Sequence, residues 1–186
     1  MHDQKLQTQR PTLTDGHVTV RPPKVGDVDA RLALGTSAAI LRMYGAILPD
    51  DAPAYTRKQA QAWYDNLLND PHGYCIDVEG ALIGFLRLHS FREQDKDASI
   101  AIGLLDETRL GQGIGTAAMR LILRHAFDTL PLHRVSLRAL AYNDRAIAAY
   151  RKLGFTEEGR LRESCRVGDV WHDDIQMGLL AREFIQ

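Results

Sequence analysis

Residues 109–116 read Arg109-Leu110-Gly111-Gln112-Gly113-Ile114-Gly115-Thr116 and join an apolar run, Ile100 to Leu105, to an amphipathic segment, Ala117 to Leu130. This succession predicts a strand, a glycine-rich turn and a helix. Three alternate glycines leave backbone N–H groups uncovered at the start of the helix, where the helix dipole favours negative charge. The stretch has neither the Lys-Ser/Thr pair of a P-loop nor a carboxylate for a metal. It therefore predicts a phosphate site made by backbone groups alone.

Two other interpretations of these glycines stay open. Residues Gly113 to Ala118 fit the dinucleotide fingerprint, which calls for an acidic residue about 20 positions further on. Near that distance the sequence reads Arg138-Ala139-Leu140, which disfavours a Rossmann unit. The other alternative, for the loop taken alone, is a tight turn that binds nothing.

Two motifs in the second half of the chain carry a family resemblance. Gly113 and Gly115 fit the pattern Gln/Arg-x-x-Gly-x-Gly/Ala, although Leu110 stands where Gln or Arg is preferred and Arg109 is one residue early. The pattern Asn-x-x-Ala-x-x-x-Tyr-x-x-x-Gly-Phe is matched in full by Asn143, Ala146, Tyr150, Gly154 and Phe155. Both motifs belong to the GCN5-related N-acetyltransferases (GNAT), which the chain resembles from Gly103 to Phe155 and towards both ends.

The resemblance implies an α/β fold with a central mixed sheet flanked by helices, and acetyl-CoA as co-substrate. In this family the glycine loop takes the pyrophosphate, and the strand before the loop hydrogen-bonds the pantetheine arm. Gly103 suits that strand, because a missing Cβ permits a bulge whose N–H would also meet an oxyanion. The predicted cofactor-binding residues are Ile102, Gly103, Leu104, Arg109, Gly111, Gln112, Gly113, Ile114, Gly115, Thr116, Asn143 and Tyr150.

Acyl transfer to an amine also needs a general acid for the leaving thiolate and a route for the amine proton. The resemblance assigns the acid to Tyr150, with simple burial as the alternative. Relatives carry a glutamate where this chain has Ser99, so Asp97, two residues away, is a candidate base on the same strand face. Glu163 is another candidate. An α-amine, with a pKa of about 7.7–8.0, could instead lose its proton to water.

Composition sets the class of protein. The 186 residues suit one domain, of which residues 1–10 are expected to form a flexible tail and residues 11–186 the acetyltransferase domain. A net charge of -1 gives no general attraction to nucleic acid or to an anionic membrane. The two cysteines lack metal or redox spacing, and the histidines lack paired ligand spacing, so no metal is expected. With no apolar segment after Met1, we expect a cytoplasmic protein.

Local patterns predict the remaining elements. Val18 and Val20 alternate in a short first strand, and Thr56 with Gln59 forms a capping box that opens a helix ending at Asn69. Asn143 is expected to cap a helix that ends before a left-handed Gly154. The other predicted elements are a helix with Asp27 as N-cap through Leu34, a loop-rich region from Thr36 to Ala54, a hairpin over 74–88, a strand beginning at His133–Leu137, and last strand residues Ile175, Met177 and Leu179.

Within the superfamily the chain most resembles the RimJ/RimL branch, which acetylates protein N-termini and has relatives acting on small amines. Supporting residues at the front are Leu13-Thr14 and Val18 to Arg21, and at the back Glu158-Gly159, Arg162, Gly168, Asp173, Met177 and Leu179. The expected reaction is direct attack in a ternary complex on an acceptor that is either a protein N-terminal α-amine or a small amine. A homodimer stays open. The non-enzymatic alternative is an acyl-CoA sensor or a catalytically inactive interaction domain.

Overall fold

The computed structural model describes residues 10–185 and arranges their strands in one mixed sheet. The strands are β1 (Leu13–Asp15), β2 (Val18–Arg21), β3 (Gly73–Val78), β4 (Ala81–Arg92), β5 (Asp97–Leu104), β6 (Arg134–Leu140), β7 (Thr156–Val167) and β8 (Val170–Leu180). The helices are α1 (Asp27–Leu34), α2 (Ala38–Met43), α3 (Arg57–Asn69), α4 (Ile114–Asp128) and α5 (Asp144–Lys152), with 3-10 turns at Glu107–Arg109 and Ala181–Glu183. The predicted mixed α/β fold is confirmed.

The sheet has the order β1-β2-β3-β4-β5-β6-β8-β7, and its neighbours are antiparallel except for β5 and β6. Successive side chains along each strand point to opposite sides, which gives the sheet two faces. One face packs on α4 in the main core, to which Leu86, Ile100 and Met177 contribute. The other face of the first half packs on α1 and α3 through a smaller cluster that contains Leu67 and Cys75.

The parallel pair β5 and β6 separates soon after it begins. Asp97–Ser99 pair with Arg134–Ser136, and no pairing follows, although β5 continues to Leu104 and β6 to Leu140. Between residues 100–104 and 137–140 the two strands therefore leave a wedge. Because sheet pairing no longer uses the strand edges there, their backbone groups are free for a ligand.

Asp27 does not cap α1 with its side chain, so the predicted N-cap is wrong. The cap position is held by Gly26, without a side-chain hydrogen bond, and Asp27 is the first helical residue. Its buried carboxylate instead accepts hydrogen bonds from the Arg21 guanidinium at 2.7 and 2.8 Å and from the Lys24 backbone N–H at 2.7 Å. Bonds from a charged donor are stronger than a cap bond, so they decide the orientation.

The expected loop from Thr36 to Ala54 contains a helix, and the loop prediction is wrong for Ala38–Met43. Ser37 caps this helix by accepting the backbone N–H of Ile40 at 3.2 Å. Six residues are too few to show a 3.6-residue period. The helix is stabilised by tertiary contacts, which no local sequence pattern reveals.

Most other boundaries agree with the sequence within a few residues, and the capping box of Thr56 and the left-handed Gly154 are confirmed. The structure adds strand β1 and divides the last strand region into the hairpin β7–β8. Of the predicted tail, residues 1–9 lie outside the described residues. Arg10 is described, and its guanidinium donates to the carbonyls of Leu67, Asp70 and Gly73 at 2.7–2.9 Å.

Candidate active site

A cleft of about 350 Å³ opens between the end of β5, the start of α4 and the helix α5. It receives most of the predicted cofactor residues. Those that line it are Ile102, Leu104, Arg109, Gly111, Gly113, Ile114, Gly115, Thr116, Asn143 and Tyr150. Gly103 and Gln112 do not line it.

The glycine loop has the backbone form that its sequence predicts. Gly111 and Gly113 both have φ of 78°, and nothing lies within 4 Å of where a Cβ would stand. Gly113 is the cap residue of α4, so the N–H groups of the first turn have no intrahelical acceptors. Open space beside uncovered donors at a positive helix end suits an anionic phosphate.

Three cations surround the same cleft. Arg109 stands at the end of the 3-10 turn, and Arg145 and Lys152 lie about two turns apart on α5. Among the described residues that line the cleft none is acidic. The residues present therefore fit the phosphates of coenzyme A. Sequence reasoning missed Arg145 and Lys152, although their seven-residue spacing places them on one face of a helix.

The Gln112 side chain supports the loop and does not line the cleft, whereas Leu110 lines the cleft. The Gln112 side chain donates to the Thr108 carbonyl at 2.9 Å, and only its backbone remains for a ligand. Leu110 lines the cleft, but its N–H bonds to the Glu107 carbonyl at 3.2 Å. The change from Gln or Arg to Leu110 thus leaves the backbone donors after it intact.

The edge of β5 that faces the wedge carries the backbone groups of Ile102 and Leu104. The Leu105 N–H bonds to Ile83 of β4 at 2.8 Å, and successive N–H groups of a strand point to opposite sides. The N–H groups of Ile102 and Leu104 therefore point into the wedge. These are the donors that a pantetheine arm would find beside β5.

The bulge expected at Gly103 is absent from the described strand, and that prediction is wrong. Gly103 pairs in register with Phe85, and the register shift between β4 and β5 lies at His89–Arg92. A Cβ on Gly103 would stand 2.4 Å from the Phe85 ring, so glycine is needed for this packing. The N–H of Gly103 points to β4 and is not available to an oxyanion.

Asn143 caps α5 as predicted. Its Oδ1 accepts the Ala146 N–H at 3.2 Å, and its Nδ2 donates to the Met43 carbonyl at 3.5 Å. The side chain thereby fastens the end of α2 to the start of α5. It also lines the cleft, so the structural role and a ligand contact are compatible.

Tyr150 projects from α5 between the core and the cleft. The ring packs against the main core, with its centroid 6.0 Å from that of Phe155. Burial raises the pKa of its phenol to about 12, with a smaller contribution from Tyr44. The phenol is therefore neutral at physiological pH and carries a proton that it can donate.

A second, larger cavity of about 1040 Å³ lies along the wedge and is lined by both β5 and β6. Three carboxylates line it, and each faces an arginine: Asp97 with Arg92 and Arg134, Glu158 with Arg134, and Asp174 with Arg138 at 3.4 Å. Burial lowers the pKa of His89, which keeps that imidazole neutral at pH 7. The charged groups of this cavity thus balance one another.

Asp97 is poorly placed to act as a base. Its Oδ2 accepts bonds from Arg92 at 2.7 and 2.9 Å, and its Oδ1 lies 3.5 Å from Arg134 Nε. Ile102 lies five positions further along the strand, roughly 16 Å away at a rise of ~3.3 Å per residue. The strand does extend to Asp97, as expected, but the carboxylate is held in ion pairs at the closed end of the wedge.

Two further questions raised by the sequence concern Glu163 and metals. Glu163 lies in an irregular part of β7 with φ of 51°, and it does not line the large cavity. Within residues 10–185, no group of three or more His, Cys, Asp or Glu side chains could hold a metal ion. No helix of that part of the chain is long and apolar enough to cross a membrane.

Comparison with known proteins agrees with this geometry. Residues 17–156 match the family model described as an acetyltransferase (GNAT) domain. The chain is 30% identical over 174 residues to YdaF of Bacillus subtilis (strain 168), a candidate ribosomal N-acetyltransferase, with 90% of this chain and 93% of that protein covered. It is 24% identical over 170 residues to spermidine N(1)-acetyltransferase of Escherichia coli (strain K12), with coverage of 90% and 88%.

Among solved structures, spermidine N-acetyltransferase from Vibrio cholerae in complex with CoA and spermine has a TM-score of 0.75. Identity is 21%, over 92% of this chain and 100% of that one, so the likeness is one of fold. Since the family model spans most of the sequence, the chain belongs to the GNAT family and is an acetyl-CoA-dependent N-acetyltransferase.

Proposed function

We propose that this enzyme acetylates the α-amine of a peptide or protein N-terminus by direct attack while acetyl-CoA and the amine are both bound. The observation that carries the proposal is the charge balance of the large cavity, where Asp97, Glu158 and Asp174 each face an arginine. A polyamine brings several cations and needs carboxylates that are not already paired. A peptide N-terminus brings one amine and backbone groups, which a neutral polar cavity accommodates.

The absence of a well-placed carboxylate base also favours an α-amine. The α-amino group has a pKa of about 7.7–8.0, so a fair fraction is neutral at pH 7, whereas a lysine-like amine has a pKa of about 10.4. Water in the open cavity can take up the proton that the amine loses. No residue has to act as a strong base, and the position of Asp97 in its ion pairs is no obstacle.

In this proposal each part of the cleft has a task. The loop N–H groups, with Arg109, Arg145 and Lys152, hold the phosphates, and the backbone of Ile102 and Leu104 aligns the pantetheine arm. Acetyl-CoA supplies the thioester, so that a C–N bond forms, the C–S bond breaks and the sulfur needs a proton. Tyr150 donates that proton.

An acceptor panel tests the choice of amine. Short peptides with free N-termini should give kcat/KM at least about tenfold above that of spermidine or spermine, measured as release of the CoA thiol. The same peptides with blocked N-termini should release none. A ranking with spermidine first would favour the second candidate, a polyamine acceptor, which the similarity to spermidine acetyltransferases supports. If acetyl-CoA binds tightly but no amine is acetylated, the sensor alternative holds.

Replacing Gly113 with valine tests the phosphate site. At φ of 78° a β-branched residue is strained, and its side chain would stand in the open space beside the loop donors. We expect coenzyme A affinity, measured by calorimetry, to fall at least about tenfold, which corresponds to about 1.4 kcal/mol. The matched control is Gly80→Val, because Gly80 has φ of 85°, equally open surroundings and a place in the β3–β4 turn. Equal affinities in the two variants would show that the loop is only a turn.

A further inference from the structure

The cofactor cleft and the large cavity share part of their walls. Five residues line both spaces: Met43, Tyr44, Ile102, Asn143 and Tyr150. Ile102 belongs to the unpaired part of β5 and Asn143 follows the end of β6, so the two spaces meet at the wide end of the wedge. A thioester held in the cleft and an amine held in the cavity can react only there. A group that holds the amine must therefore lie at this end of the cavity.

Asp174 is placed at the wide end of the wedge by the pairing of β6 with β8. It pairs with Leu140, the last residue of β6, and the Asn143 N–H bonds to the Leu140 carbonyl at 2.8 Å. Its neighbour Ile175 belongs to the main core, so the Asp174 side chain points to the opposite face of the sheet. There it lines the large cavity.

The Asp174 carboxylate has one oxygen in use and one without a hydrogen bond. Oδ2 accepts a hydrogen bond from the Ser164 hydroxyl at 2.8 Å, and Arg138 Nε lies 3.4 Å from the same atom. Within residues 10–185, no group donates a hydrogen bond to Oδ1. Asp174 is only 5% exposed, and a carboxylate that is so far buried is stabilised by donors. Oδ1 therefore lacks a donor that a ligand in the cavity can bring.

The other two carboxylates that line the cavity are placed differently. Asp97 pairs with Arg134, the first residue of β6, which is roughly 20 Å from Leu140 at a rise of ~3.3 Å per residue. Glu158 uses both of its oxygens to accept hydrogen bonds from Arg134. Of the three carboxylates, Asp174 is thus the one at the end where the amine has to meet the thioester.

We propose that Oδ1 of Asp174 accepts a hydrogen bond from the amine of the acceptor and holds its nitrogen beside the thioester. This inference rests on the proposed acetyl transfer and names the residue that binds the reacting amine. A neutral amine donates one N–H to Asp174 and keeps its lone pair for the thioester carbon. The proton that the amine loses goes to water, and Asp174 takes up none. One free carboxylate oxygen matches an acceptor that brings one amine.

The variant Asp174→Asn keeps the shape of the side chain and an acceptor for Ser164, but it removes the negative charge. Loss of a hydrogen bond to a charged group typically weakens binding by roughly 10–100-fold. We expect the KM for a peptide acceptor to rise by that order, with the KM for acetyl-CoA nearly unchanged. The matched control is Asp173→Asn, whose carboxylate bonds to Arg160 and to the Glu163 N–H and does not line the cavity. That control should keep the wild-type KM values.

The variant Arg138→Gln tests the same contact in the opposite direction. The Arg138 side chain is 58% exposed, so this change should leave the fold intact. Without the arginine charge the Asp174 carboxylate attracts an amine more strongly, and the KM for the peptide should fall by roughly 2–5-fold. Damage to the structure would not tighten the binding of an amine.

A binding measurement without turnover completes the test. With coenzyme A bound in place of acetyl-CoA, calorimetry compares a peptide that has a free N-terminus with its des-amino analogue. Wild type and Asp173→Asn should bind the free-amine peptide at least about tenfold more tightly than the analogue. Asp174→Asn should bind the two about equally, and Arg138→Gln should increase the preference.

A preference in Asp174→Asn that equals the wild-type preference overturns the proposal. If Asp174→Asn does not fold, an unchanged preference in Arg138→Gln overturns it instead. The proposed function fails separately, if the acceptor panel ranks spermidine above every peptide. In that case the KM for spermidine in Asp174→Asn still decides whether Asp174 binds the acceptor amine.

Discussion

Replacing Tyr150 with phenylalanine is expected to lower kcat by about 10²–10⁴-fold, the usual contribution of a general acid. The ring still packs against Phe155 and the main core, so acetyl-CoA affinity and melting temperature should change little. Burial that raises the phenol pKa to about 12 also raises the proton affinity of a thiolate that leaves in the same cleft. Steady-state kinetics measure this fall in kcat, under conditions in which the chemical step is shown to be rate-limiting.

The pH dependence of kcat gives a second test of the role of Tyr150. Burial raises the pKa of the Tyr150 phenol to about 12, so its deprotonation should not produce an alkaline limb in the usual range of a rate profile. Tyr150→Phe should lower the plateau and leave any alkaline limb in that range in place. Tyr64→Phe is the matched control, because Tyr64 is also buried but belongs to the α1–α3 cluster. A kcat equal to wild type in Tyr150→Phe would leave Tyr150 as a core residue.

The central part of the cleft could be predicted from the sequence because local chemistry determines it. Positive φ at Gly111 and Gly113, the Asn143 cap and the left-handed Gly154 each follow from what one residue type permits. The strand, turn and helix around the loop follow from hydrophobic period. Chemical roles came from the resemblance, and the roles of Tyr150 and of the cofactor-binding residues stay predictions.

Contacts between distant parts of the chain explain what the sequence did not reveal. Met43 and Tyr44 line the cleft at the end of α2, and α2 with its cap Ser37 is held by Glu107, Tyr142 and Asn143 from 70 or more positions away. These two lining residues therefore have no local signature. Asp97 was a candidate base from the sequence, and pairing of β5 with β4 and β6 gives it two arginine partners. Gly103 suggested a bulge, whereas the neighbouring Phe85 requires the glycine.

The largest stability effect that we expect also depends on contacts between distant parts of the chain. Arg21 of β2 donates to both carboxylate oxygens of Asp27 in α1 and of Asp77 in β3, with four bonds of 2.6–2.8 Å. Relative exposures are 9% for Arg21, 1% for Asp27 and 3% for Asp77, so all three charges are shielded from water. Fifty-six positions separate Arg21 from Asp77, and the pair forms only through strand pairing.

Arg21→Met should lower the free energy of unfolding by about 3–5 kcal/mol, because it leaves two buried carboxylates without their partner. That is a large part of the ~5–15 kcal/mol that stabilises a typical domain. Denaturant unfolding at pH 7 measures it. Arg57→Met is the matched control, since Arg57 and Asp29 form a pair in which both side chains are about two-thirds exposed. An exposed pair contributes about 0–1 kcal/mol.

The loss of unfolding free energy caused by Arg21→Met should become smaller at acid pH. The direction of this change follows from the pKa of Asp27. Burial alone would raise that pKa, but hydrogen bonds from Arg21 and the Lys24 backbone and the Arg21 charge outweigh it and hold the pKa below its ordinary value. Such a group stabilises the wild-type fold fully above the unfolded-state pKa of about 3.9, and this contribution is lost as pH falls below it. In the variant the unpartnered carboxylate takes up a proton more readily than in the unfolded chain, so acid relieves its cost. A difference in unfolding free energy that is the same at pH 3.5 as at pH 7 would show that Arg21 stabilises the fold by packing and not by charge.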